Sequence, residues 1–456
     1  MFLSIRRYQD LLIVLVLGSP QLALYYLLYL VGDFSKAIMS FVGNYAALFL
    51  FYVSAIILFK MGIVNIERRS VRVLLFVFPI LFRIPMVASK VSLTTDILRY
   101  MWDGMLLSNG VDPYRYVPSS NELQQFQNVS YYITYDHKDE FTIYPPLAQV
   151  FFALNYAVFG GNPIGIKSLL SMIDIVNGLL VFKTVMRLWR DSSRAHLGAL
   201  VYLWNPLVII EFSNSGHVDA LAIMLLLSSI YFLVGSSIDY SSILVSMSCL
   251  TKWFPLITIP LFAKHVHRHN RRFFWRGVLL TCLVFAIATL PFYLSSGFGF
   301  ASSIADYVGN WRFESALSRL LILLVHSSNL GESLYAKILS YTVFLAMYLI
   351  IIRKSDLSGK TSVIDQSILV LSLLYFVFPA IYPWYAVWLL ALVSLLEPSA
   401  KTWLCIAFTG VVIVNYVQQF YSLSEFQFWF AYALWYLPIF CIMLSYILAS
   451  RNGKPI

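Results

Sequence analysis

Charge is scarce in this 456-residue chain: Asp, Glu, Lys and Arg together make up 12% of it, about half the share of an average soluble domain. An ordinary soluble globular fold is excluded on that count. Cysteine is also sparse. All four cysteines, Cys249, Cys282, Cys405 and Cys441, lie inside apolar runs. They read as small buried hydrophobes, so neither a disulfide framework nor a cysteine metal site is expected. The chain shows no internal repeat, no low-complexity tract and no polar stretch long enough to fold alone. The run His265-x-His267-x-His269 is interleaved with Lys and Arg and reads as a solvated basic loop. The first apolar run, Leu11 to Val31, follows Arg6 and Arg7, is long enough to span a bilayer and has no convincing cleavage site. A retained membrane helix is expected there.

What is abundant is hydrocarbon. Hydrophobic residues are 60% of the chain and the mean hydropathy is +0.76. Apolar windows of ~17–25 residues recur along the whole length, which predicts an all-α polytopic membrane protein. A formal net charge of +10 raises the question of nucleic acid, but the basic residues gather in short loops between apolar segments. That is the positive-inside pattern, and no nucleic-acid partner is expected. The anchors are Arg6 and Arg7, Arg68 to Arg72, Arg187 to Arg194, Lys264 to Arg276, Arg353-Lys354, Lys401, and the tail with Arg451 and Lys454. Threading between them gives spans near 11–31, 40–60, 72–88, 164–186, 197–212, 218–235, 277–294, 335–352, 362–380, 384–397, 402–422 and 427–449. The expectation is about twelve crossings with both termini inside, in one membrane domain covering 1–456. Three apolar stretches break the alternation. Residues 145–159 are expected as an interfacial helix, and residues 241–262, with Lys252 and Pro255 at their middle, as a helix broken within the membrane. Residues 317–328 are expected as a partial span.

On this topology the outer face collects the chemistry. The longest polar interval, about 89–145, opens with Asp96, Arg99, Tyr100, Trp102 and Asp103 and closes on Tyr144. Later outer loops carry Glu211 with His217 and Asp219, then Trp311 and Arg312, then Tyr382 to Tyr385. Each has a plainer reading. Asp96 and Arg99 would form an i, i+3 pair at a helix start capped by Thr94 or Thr95. Trp102 and Tyr100 would belong to an aromatic belt. His217 and Asp219 would serve a helix cap and dipole. Against this, ionisable groups at membrane depth tend to be functional. Lys252 lies mid-run with no acid nearby in sequence, so it either snorkels or neutralises an anion in a cavity.

Carboxylates at the mouth of a cavity lined by cations suit group transfer from a lipid phosphate. Nucleotide sugars are absent outside the cytoplasm, where an activated sugar normally rides on a polyprenyl phosphate. Lys252, His217 and Arg312 are the candidates to hold that phosphate. Asp96 is the candidate general base for the acceptor hydroxyl. Arg99, Tyr100, Trp102, Asp103, Tyr144, Asp219 and Trp311 are the candidates to bind substrate. Phosphate is itself a competent leaving group, and no cluster of metal ligands stands out, so neither metal nor other cofactor is expected.

Asp96-x-x-Arg99-Tyr100-x-Trp102-Asp103-Gly104, followed by Gly110-x-Asp112-Pro113-Tyr114, resembles the first outer loop of polyprenyl-phosphate-sugar-dependent glycosyltransferases of the GT-C superfamily. The likeness is to their bacterial mannosyltransferase-like branch. It continues through Ile143-Tyr144-Pro145-Pro146, Trp204-Asn205-Pro206, Gly216-His217-Val218-Asp219, Thr251-Lys252-Trp253-Phe254-Pro255, Trp311-Arg312-Phe313 and Tyr382-Pro383-Trp384-Tyr385, spanning about 70–395. The resemblance implies an inverting hexosyltransferase, mannose favoured, with Asp96 as base, working on a lipid-linked or glycan acceptor. It also implies an outward-facing site in a bacterial inner membrane, with short juxtamembrane helices over the cavity. The chain departs from the family in carrying Thr95 where an acid usually precedes the Asp, which weakens a metal-dependent reading. The rivals are a transporter or flippase of a lipid-linked sugar, and another lipid-phosphate enzyme such as a phosphoethanolamine or O-acyl transferase. A transporter leaves the acid- and aromatic-rich outer loop unexplained.

Overall fold

The computed structural model describes residues 2–297, 299–300, 302, 330–377 and 382–451. Among them the regular structure is helical, with no strand. In chain order the helices are α1 (Phe2–Val31), α2 (Ile38–Lys60), α3 (Arg69–Ala88), α4 (Asp96–Ser108), α5 (Ser130–Thr134), α6 (Pro146–Phe159), α7 (Pro163–Trp189), α8 (Ser192–Leu203), α9 (Pro206–Ile209), α10 (Asp219–Val234), α11 (Ile238–Cys249), α12 (Ile259–His269) and α13 (Arg271–Ser296). They continue as α14 (Leu330–Lys354), α15 (Ser362–Val377), α16 (Ala386–Val393), α17 (Ala400–Val411), α18 (Val414–Phe420) and α19 (Glu425–Arg451).

A helix overlaps each expected span. By length and composition, however, seven described helical stretches can cross a membrane, or eight counting a pair bent by 54° across Ser192–Leu203 and Pro206–Asn214. The expected twelve are not reached on that test. Of the expected crossings outside that set, α10 is short: its 16 residues make about 24 Å of helix, against ~30 Å of hydrocarbon. The partial span expected at 317–328 lies outside the described residues.

The chain forms two compact units, Met1–Pro255 with Leu279–Gly309, and Leu256–Val278 with Asn310–Ile456. In the first, α1 packs on α2 and α3, α7 on α8 and α10, and α10 on α11. In the second, α15 packs on α14, α16 and α19. There the basic run around His265 is partly structural. Lys264 Nζ donates to the Ile352 and Ser355 carbonyls at 2.7 and 2.8 Å, satisfying groups that the end of α14 leaves open.

Local sequence explains the breaks that position the polar residues. Asn205-Pro206 stops α8: the Asn205 side chain accepts from Leu207 N at 2.9 Å, and Pro206 at the first helical position has no N–H to lose. With Leu207 N engaged, the Leu203 carbonyl lacks its helical donor and accepts instead from Arg83 at 3.2 Å. Arg83 is neutralised by Asp174 of α7 at 2.6 Å, both fully enclosed. The segment expected as a broken helix does stop: α11 ends at Cys249 and the next helical turn starts at Phe254, leaving Leu250-Thr251-Lys252-Trp253 between them.

Candidate active site

α4 opens on Asp96. Thr95 occupies its cap position without capping through its side chain. The Asp96 amide donates to Thr94 Oγ1 at 3.2 Å. Helical spacing puts Tyr100 one turn below Asp96 on the same face, and Arg99 and Asp103 beside it. Arg99 does not serve Asp96. It pairs with Asp103, Nε to Oδ1 at 2.7 Å, with both side chains buried, and donates to the Glu140 carbonyl at 3.0 Å. The other Asp103 oxygen accepts from Thr142 at 2.5 Å and from Gln149 at 3.0 Å. One carboxylate thereby ties α4 to the end of the 89–145 loop and to α6. The tie needs close backbones, and Gly104 permits them: a Cβ there would sit 2.4 Å from the Phe152 carbonyl oxygen.

The loop end carries Tyr144. Its ring meets Tyr100 edge-on at 4.9 Å, while Tyr100 stacks on Phe152 at 4.4 Å. Tyr114 donates to the Tyr144 carbonyl at 2.5 Å. The break after α11 supplies the remaining hold. The Leu250 carbonyl accepts from Leu147 N at 2.8 Å, and Trp253 Nε1 donates to the Ile143 carbonyl at 3.2 Å. The non-helical residues around Lys252 are thus docked against Tyr144, whose ring lies 5.7 Å from Lys252 Nζ.

The third wall is the turn between α9 and α10. Residues Ile210–Asn214 form a π-helical turn, a feature frequent at functional sites. Gly216 follows with φ +72, and a Cβ on it would meet Ile97 at 2.8 Å. A left-handed residue without a side chain is needed there, and it aims the next residue, His217, back at α4. His217 Nδ1 lies 3.6 Å from Asp96 Oδ2, and its Nε2 lies 3.2 Å from Glu211 Oε2. α10 then starts at Asp219, which accepts from Lys252 at 2.9 Å.

Solvent reaches this cluster unevenly. The Asp96 side chain keeps 23% of its surface and Lys252 12%, whereas His217, Glu211 and Asp219 keep none. Loss of water pushes the Asp96 carboxyl above the usual carboxylate range, against the pull of the Lys252 ammonium and the Tyr144 hydroxyl. Burial, reinforced by Lys252, holds His217 well below its ordinary value, so its imidazole rests neutral. The site therefore offers a half-wet carboxylate beside a cation, floored by a neutral imidazole and a second carboxylate. That arrangement can accept a proton and hold an anion within one cavity.

Of the residues singled out in the sequence, Asp96, Tyr100, Tyr144, His217, Asp219 and Lys252 are brought together. Arg99 and Asp103 lie next to them but are occupied with each other. Trp102 points elsewhere, buried and packed on Tyr132 with ring centroids 5.0 Å apart. Trp311 and Arg312 lie outside the described residues. His217, expected to meet a phosphate, is enclosed between carboxylates. Sequence reasoning placed Glu211 on an outer loop without giving it a role, and passed over Arg83, Asp174 and Lys167, whose Nζ donates to the Ser89 carbonyl at 2.5 Å. Each is an ionisable residue inside an apolar run, which is the signal that marks such positions.

A family model described as "Alpha-(1->6)-mannopyranosyltransferase, N-terminal domain" matches residues 20–268, more than half of the chain and all of the cluster just described. No curated protein matches the chain.

Proposed function

The chain belongs to the MptA_B family, a GT-C-type mannosyltransferase family, and on that basis we propose that it transfers mannose from a polyprenyl-phosphate donor to a lipid-linked or glycan acceptor. The transfer is inverting, at the extracytoplasmic face of a bacterial inner membrane. The observation that carries the reading is the placement of Asp96: a partly exposed carboxylate at a helix start, with Lys252 and Tyr144 beside it.

In this reading Lys252 holds the donor phosphate by a charge-assisted contact, giving up part of its pairing with Asp219. Tyr100 and Tyr144 shape the wall beside the sugar. The acceptor oxygen forms the new bond to the anomeric carbon as the bond from that carbon to the phosphate oxygen breaks. The electron pair leaves with the polyprenyl phosphate, and the hydroxyl proton passes to Asp96. The high carboxyl pKa suits a base, because proton transfer is most efficient when donor and acceptor are matched. No step requires a metal.

The test is a transfer assay on the purified protein with radiolabelled mannose offered on polyprenyl phosphate, glucose on polyprenyl phosphate, and mannose on a nucleotide. Transfer from the first donor alone supports the reading. Transfer from the nucleotide sugar, or none from mannosyl polyprenyl phosphate, contradicts it.

A further inference from the structure

Two buried groups in the cluster have no part in the transfer as written. Glu211 and His217 lie fully enclosed beneath Asp96, inside an apolar segment that gains nothing in stability from an ionisable pair unless both are satisfied. The sequence sets them six residues apart, a spacing that regular α-helix would not turn toward each other. The π-helical turn at Ile210–Asn214 and the left-handed Gly216 bring them together, and the His217 amide donates to the Glu211 carbonyl at 3.0 Å. The backbone departs from regular helix where this pair forms.

We infer that Glu211 and His217 are positioning residues that form a proton relay behind Asp96, Glu211 fixing the imidazole so that Nδ1 faces the Asp96 carboxyl. This rests on the assignment of Asp96 as base. The balance is simple. With His217 neutral, its Nε2 lies 3.2 Å from Glu211 Oε2 and its Nδ1 3.6 Å from Asp96 Oδ2, and neither contact has hydrogen-bond geometry in this structure. The relay requires both contacts to tighten to hydrogen-bond geometry when substrate packs onto Asp96, as catalytic contacts do on forming the Michaelis complex. After transfer, Asp96 carries the acceptor's proton. It passes to Nδ1, leaving an imidazolium between two carboxylates and Asp96 ionised again. The proton later returns through Asp96 to water or to the departing phosphate. A buried carboxylate that orients and stabilises an imidazolium does the same for the histidine of hydrolytic triads.

The relay also sets pH dependence, and every charged neighbour enters it. Around Asp96 stand Lys252, Asp219 and His137 with the Tyr144 hydroxyl; Lys252 acts on His217; Tyr45 of α2 faces Glu211. In the relay Glu211 acts as the ionised partner that stabilises the imidazolium and adds negative charge near Asp96, and Glu211→Gln removes both effects. The turnover therefore falls, while the acidic limb of the profile, where Asp96 must be ionised, moves to lower pH.

The experiment compares kcat, donor KM and pH–rate profiles of the full-length wild type, Glu211→Gln, Glu211→Asp and Asp96→Asn with mannosyl polyprenyl phosphate. For Glu211→Gln we expect kcat to drop about 10- to 100-fold, KM to stay within about twofold, and the acidic limb to shift down. Glu211→Asp, which keeps the charge, is expected to recover part of kcat and the wild-type limb. An inert Asp96→Asn beside a Glu211→Gln with wild-type kcat and profile overturns the relay alone. An active Asp96→Asn overturns the base assignment and the relay with it. If Glu211→Gln folds poorly, the Glu211→Asp profile decides: loss of kcat with KM raised in proportion and no recovered limb marks Glu211 as structural and refutes the relay.

Discussion

Lys252 reaches from the break after α11 to Asp219 at the first turn of α10, 33 positions away in sequence, with Nζ 2.9 Å from Oδ2. The pair keeps a cation at the cavity in the absence of substrate. Without Asp219, burial would penalise the ammonium; without Lys252, Asp96 and Asp219 would lose the cation that stands beside both.

Lys252→Ala is expected to weaken donor binding about 10- to 100-fold, the range set by ~1.5–3 kcal/mol for a hydrogen bond to a charged group. Equilibrium binding of a non-transferable polyprenyl-phosphate sugar to the detergent-solubilised protein measures it. Unchanged affinity would return Lys252 to a structural role.

The same lysine controls the protonation of Asp96. Its charge lowers a carboxyl that burial has raised. Lys252→Gln therefore raises that pKa further, and the acidic limb of kcat/KM moves to higher pH. The shift is opposite in sign to that expected for Glu211→Gln, so the two profiles, recorded side by side, separate the two neighbours.

Asp103 tests the scaffold. Asp103→Asn leaves the Arg99 guanidinium buried without its counter-charge, and loss of one partner of a buried pair costs ~3–5 kcal/mol. Thermal unfolding in detergent is expected to show a large destabilisation. Residual activity per folded molecule should survive better than in Asp96→Asn.

Gly104→Ala places a methyl group where the Phe152 carbonyl oxygen already sits. The α4–α6 contact must open, at about 1–3 kcal/mol for an overpacked position. A stability loss in this variant, with Gly104→Ser similarly affected, is the expected outcome of differential scanning in the same detergent.

Much of this was legible in the residues. The apolar windows marked the long spans, and the charge and proline in 241–262 marked the interruption that the structure places at Leu250-Thr251-Lys252-Trp253. Asp96 and Arg99 stood out as polar residues at the end of an apolar run, although Arg99 turns to Asp103 through ordinary i, i+4 geometry. What could not be read were contacts made across folded distance. Lys252 has no acid within its own segment, and its partner is defined only once α10 and α11 pack. Glu211 and His217 meet only because of a π-helical turn, for which no sequence periodicity gives notice. Sequence hydropathy likewise counts short apolar stretches such as α10 as crossings, whereas the folded helix is too short by itself to span the hydrocarbon.

The assignment of Asp96 is tested most directly by single-turnover mannose transfer with wild type and Asp96→Asn at equal, saturating donor occupancy. Loss of a positioned base predicts a rate lower by about 10²- to 10⁴-fold, with donor affinity and thermal stability retained. Transfer by Asp96→Asn at the wild-type rate would show that the proton leaves by another route.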